Sequence, residues 1–105
     1  MNLKFSVDKL YETNWQPRDA GMCARLDDGR LYPPVAEVQR IFAAQGYELV
    51  IRYAQLFDCY RAVWTNPAGT AEGAVVGADE NEAAVYALAQ WLKSCPHLQT
   101  PSQTP

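Results

Sequence analysis

Apolar residues alternate along positions 47–54. Tyr47, Leu49, Ile51 and Tyr53 fall on one side of an extended chain, with Glu48, Val50, Arg52 and Ala54 on the other. This is the period of a strand with one buried face. A second run, 59–65, sets Tyr60, Ala62 and Trp64 against Cys59, Arg61, Val63 and Thr65. Gln55 to Asp58 leave room between the runs only for a short turn, which predicts an antiparallel hairpin. Asn66-Pro67-Ala68-Gly69 supplies the next turn, because proline presets one central dihedral and glycine accepts the dihedrals that close the turn. A third strand is expected over 71–77.

The period then changes to that of a helix. Asp79 can accept from the orphan donors of a first turn, and Glu82, three residues on, can reach back as a capping-box partner. Ala84, Ala87, Leu88, Trp91 and Leu92 form the apolar stripe, Lys93 suits the negative end, and Pro96 stops the helix. An earlier helix opens at Pro33-Pro34, where a missing N–H costs nothing, and buries Val35, Val38, Ile41 and Phe42. Glu37 sits near its positive end, and Gly46 is placed to close it in a left-handed cap.

The amino-terminal third is less determined. Leu3, Phe5 and Val7 alternate as in a strand, whereas Val7, Leu10, Tyr11 and Trp15 stripe a short helix, and period alone does not separate the two. Pro17, Arg18, Asp19 and Gly21 read as loop. Asp28-Gly29 between Leu26 and Leu31 has the chemistry of a two-residue hairpin turn, giving a small ribbon over 22–32.

The expected fold is α+β and two-layered: a three-stranded antiparallel sheet with two helices on one face, in the order αβββα. An N-terminal strand or hairpin is an optional extension of the sheet. Residues 1–97 form the domain, and 98–105, rich in Thr, Ser, Gln and Pro, form a flexible tail. The outer sheet face then carries Glu48, Val50, Arg52, Arg61, Val63, Thr65, Glu72, Ala74 and Val76. Val50, Val63 and Val76 make an apolar row on it, flanked by Arg52, Arg61, Glu48 and Glu72, a composition suited to the centre and rim of an interface. Either Leu3, Phe5 and Val7 fold back over this face or a second copy of the chain covers it as a homodimer.

Composition narrows the classes of function. The chain has 105 residues, 49% hydrophobic and 20% charged, which suits one globular domain. A net charge of -3, with no cluster of Lys and Arg, argues against nucleic acid or an anionic membrane as partner. Cys23, Cys59 and Cys95 are odd in number and widely spaced, unlike a disulfide framework. No signal peptide or membrane-length apolar run is apparent, so the expected location is the cytoplasm.

Catalytic candidates are thin. His97 is the sole histidine, and Cys95-Pro96-His97 offers too few ligands for zinc, so neither a metal nor a cofactor is expected. Asp27 and Asp28 form an acidic pair, but Asp-Asp-Gly is ordinary turn chemistry. Cys59 has only Arg61 nearby to activate it. The expectation is therefore a non-enzymatic protein with a protein partner. The alternative is a small-ligand module, with Tyr47, Tyr53, Tyr60, Trp64 and Trp91, joined by Phe42, lining a cleft between helices and sheet. At strand and helix spacing these aromatics also suit a core.

Two resemblances accompany these residues. The order of elements is similar to the double-stranded RNA-binding domain, but Asp79-Glu80-Asn81-Glu82 stands where that family grips phosphate with lysines, which removes the function and keeps the topology. Residues 60–92 resemble the small sandwich domains of phages and mobile elements, of the phage ABA-sandwich type. An aromatic-rich strand, a glycine turn and an Ala78-Asp79 to Ala83-Ala84 helix start carry that resemblance, which implies an accessory protein of a phage or gene cassette.

Overall fold

A computed structural model describes residues 2–17 and 20–94; the expected tail, 98–105, and the helix-stopping Pro96 lie outside them. Its helices are α1 (Leu3–Tyr11), α2 (Val35–Ala44) and α3 (Glu80–Ser94), and its strands are β1 (Ala24–Arg25), β2 (Leu31–Tyr32), β3 (Glu48–Ala54), β4 (Cys59–Thr65) and β5 (Ala71–Gly77). The order is α1-β1-β2-α2-β3-β4-β5-α3. Among the described residues there are three helices rather than the expected two, and β1–β2 is a separate antiparallel sheet that does not extend the three-stranded sheet β3-β4-β5.

The amino terminus resolves to a helix because Asn2 caps it: its Oδ1 accepts the Phe5 N–H at 2.9 Å. α1 packs on α3 and buries Val7 and Leu10 completely. It does not fold across the outer sheet face as one expectation had it. The β1–β2 ribbon is held to α1 by Tyr11 Oη donating to the Leu31 carbonyl (2.8 Å) and by Arg30 pairing with Asp8 (2.7 Å). Its turn has a three-residue loop rather than a two-residue one: Leu26 N–H donates to Arg30 O, Gly29 N–H donates to Leu26 O, and Gly29 takes φ +94.

α2 ends as its sequence foretells. Gly46 N–H donates to Ala43 O and Tyr47 N–H to Phe42 O, with Gly46 at φ +81, the paired bonds of a Schellman motif. The apolar contact that accompanies such a motif is the edge-on pair Phe42–Tyr47, 6.4 Å between ring centres. α2 and α3 both lie against the sheet and against each other. Phe42 stacks on Trp91 at 4.0 Å and 21°, with Trp64 tilted 6.1 Å from Phe42.

α3 is buried on more than the one stripe expected. Ala83, Val85 and Ala89 join Ala84, Ala87, Leu88, Trp91 and Leu92 in the core, because α1 covers one side while the sheet and α2 cover the other. Asp79 Oδ1 accepts the Glu82 N–H at 2.8 Å as foreseen, but Glu82 Oε1 accepts from Ala78 N–H (3.0 Å) rather than from the capping residue itself.

Candidate interaction site

The outer sheet face is positioned by one irregularity. The β4–β5 loop closes with Asn66 N–H donating to Thr70 O, with Gly69 at φ +90, and Thr65 then pairs with Ala71. One step on, Trp64 pairs with Gly73, so Glu72 is an extra residue, a β-bulge. A slip of one residue exchanges the faces of a strand. Without the bulge Val75 would point outward; with it Gly73, Val75 and Gly77 face the helices, and Ala74 and Val76 face out. The glycines are required there. A Cβ on Gly73 would collide with the Trp64 ring, and one on Gly77 would stand 2.6 Å from the Ala83 nitrogen at the start of α3.

The register corrects the expected apolar row. Val50 lies opposite Val63, and Val63 opposite Ala74, so the row is Val50, Val63, Ala74. Val76 lies opposite Arg61, which lies opposite Arg52. Glu72 is not free to rim the face: its two oxygens accept from Tyr47 Oη (3.0 Å) and Asn66 Nδ2 (2.7 Å). The face is therefore graded along the strands. Glu48 and Thr65 stand at one end, the apolar row in the middle, and Arg52 and Arg61 side by side at the other. Val50 and Val63 are half-buried, while Arg52, Arg61, Ala74 and Val76 are exposed, Val76 at 46%. Like charges directly opposite across a strand pair are unfavourable. Among the described residues no carboxylate pairs with either arginine.

Beyond the arginines the chain forms a single 3-10 turn, Gln55–Phe57, whose Leu56 and Phe57 are 92% and 78% exposed. Sequence alone assigned this segment only a length. The signal was there in two large apolar residues at a site where turns take small polar ones. Asp58 comes next in the left-handed region (φ 47), and its Oδ1 accepts from Tyr53 Oη at 2.6 Å, which raises the Tyr53 pKa above its ordinary value.

The aromatic candidates divide. Trp64 and Trp91 meet Phe42 inside the core, and the partly buried Tyr47 packs against that cluster, 5.1 Å from Trp91. Tyr53 and Tyr60 pair with each other at 5.3 Å near the opposite strand ends, with Tyr53 half exposed. A separate groove of about 510 Å³ lies between α1 and α3, lined by Phe5, Lys9, Thr13, Tyr86, Gln90 and Lys93.

The remaining candidates have structural surroundings. Asp28 accepts from the Arg30 backbone N–H and Nε, both at 3.0 Å, and these bonds hold its carboxyl below the usual value. Asp27 is exposed in the same turn. Cys59 is a half-buried thiol at a strand end; Cys95 and His97 lie outside the described residues. Among the described residues no group of three metal-ligating side chains converges, and no helix is long and apolar enough to cross a membrane. Comparison with known protein families, with curated proteins and with solved structures finds no significant match.

Proposed function

We propose that this chain is a small non-enzymatic interaction or accessory protein that docks a protein partner on the outer face of β3-β4-β5. The carrying observation is that face: an apolar row, Val50, Val63 and Ala74, left open between a carboxylate and an arginine pair, with the exposed Leu56 and Phe57 in the turn beyond the arginines. Exposed apolar surface with a polar rim is the composition of an interface. The net charge of -3 and the acidic start of α3 favour protein over nucleic acid as partner. The resemblance of 60–92 to phage and mobile-element domains supports an accessory role, carried out in the cytoplasm.

A photo-crosslinking residue placed at Val63, with a control at the exposed Ala36 on α2, tests the reading in cells of the source. A discrete adduct from position 63 and none from position 36 is expected. Absence of any adduct from Val63, and from Val50 in a second variant, would remove the face from consideration.

A further inference from the structure

We infer that the occupant of the outer face is a second copy of this chain, related by a two-fold axis that crosses the strands through the Val50, Val63 and Ala74 row. The inference rests on the docking role proposed for that face and names its partner.

The face cannot complete its own charge pairing. Glu48 and Arg52 lie on the same side of β3, four residues and therefore about 13 Å apart, so they do not pair within one molecule. Arg52 and Arg61 are adjacent across the ladder, exposed, and without a carboxylate among the described residues. The missing group is an acid placed over the arginine end, about one sheet spacing away.

Two copies packed face to face in a closed dimer must be related by a two-fold axis in the plane between them. An axis along the strands would lay arginine row on arginine row. An axis across the strands reverses the gradient: the centre row meets itself, and Glu48 of each copy comes over the partner's Arg52. Sheets stack about 10 Å apart, a gap that an extended arginine and a glutamate span together. The isologous contact then holds two reciprocal ion pairs around a small apolar centre, and each pair relieves the Arg52–Arg61 repulsion. The chain thus carries both halves of its own complement, Glu48 and Arg52, equidistant from Val50.

The size of the face sets the strength. Seven-residue strands, three abreast, give a footprint of about 23 by 14 Å. That is well below the ~800 Å² per partner of a standard stable interface. The dimer is weak and concentration-dependent, and charge pairing decides its geometry more than its affinity.

Light scattering of the full chain over a concentration series to the millimolar range, with the charge reversals Glu48→Arg and Arg52→Glu, tests this. The native chain is expected to rise from 11.7 kDa toward twice that mass, less so at high salt. Each single reversal should stay monomeric, since it sets like charges against each other. An equimolar mixture of the two variants should regain the doubled mass as a heterodimer, and the double variant should self-associate again. Both positions are exposed, and far-ultraviolet circular dichroism verifies that each variant is folded.

A native chain that stays at 11.7 kDa, singles that dimerise undiminished, or a mixture that stays monomeric would each overturn the inference. Crosslinking from Val63 then separates the two claims. An adduct of foreign mass from a monomeric chain removes self-association and leaves the docking face, whereas no adduct from Val63 or from Val50 removes both.

Discussion

The inner and outer faces of β3-β4-β5 are made by the same strands in one register, and they have opposite fates. Inward, Leu49, Ala62 and Trp64 are buried under α2 and α3, and two glycines are present only so that a ring and a helix start can approach the backbone. Outward, the side chains are small, half-covered or charged. Alternation assigns a side chain to a face. What covers that face is decided by elements elsewhere in the chain.

The inner face is the more sensitive of the two. Trp91, 1% exposed, stacks on Phe42 and touches Tyr47 edge-on, so Trp91→Ala should cost about 3–5 kcal/mol in denaturant unfolding, enough to leave a small domain largely unfolded. A gentler contrast uses neighbours on β5. Gly73→Ala should cost about 3 kcal/mol, because the new methyl must displace the Trp64 ring. Ala74→Val, one residue along and facing out, should stay within about 0.5 kcal/mol in the monomer. Equal losses from the two substitutions would mean that the bulge at Glu72 does not set the register.

That bulge marks the limit of what the sequence told. The strand limits, the Gly46 cap and the Asp79 start were legible because each depends on a few adjacent residues whose chemistry is local. The expected Val50, Val63, Val76 row gives way to Val50, Val63, Ala74 because register is non-local: the Asn66–Thr70 loop and the extra Glu72 together decide which β5 residue meets Val63. α1 is ambiguous in the sequence because a nine-residue segment fits both periods; its packing site is signalled only by Ala83, Val85 and Ala89, a second apolar side of α3. The aromatic set was visible as a set. Its division into a core cluster around Phe42 and a rim pair, Tyr53 with Tyr60, required the strand ends to be placed against the helices.

A smaller effect sharpens the inner side at its edge. Glu82 is 1% exposed, and its Oε1 is the acceptor for the part-buried Ala78 N–H, while Oε2 has no partner among the described residues. Glu82→Ala leaves that N–H without its acceptor and should cost about 1–2 kcal/mol, whereas Glu82→Gln keeps an acceptor and should cost less. The ranking of the two variants by thermal midpoint is the check. A Gln variant as damaged as the Ala variant would mean that the charge near the helix start, rather than the hydrogen bond, is what stabilises the turn.

The smallest effects lie outside the core, where hydrogen-bonded charges at loops give the fold its pH sensitivity. Asp28 is held below its ordinary 3.8 by the Arg30 backbone and side chain, so its carboxylate favours the folded state. The contribution is present above pH 3.8 and is lost as pH falls from there through the lower folded value. Tyr53 has the opposite sign. Its phenol donates to Asp58 and is raised above 10.0, so the protonated form is favoured on folding, and that contribution is lost as pH rises past 10.0. Asp28→Asn should therefore flatten the acid limb of the stability profile and Tyr53→Phe the alkaline limb, each leaving the other limb alone. Both groups are exposed, so the shifts should be small and weaken further with salt. If Tyr53→Phe instead shifted the concentration at which the native chain doubles its mass, the turn beyond Arg52 would belong to the interface as well as to the hairpin.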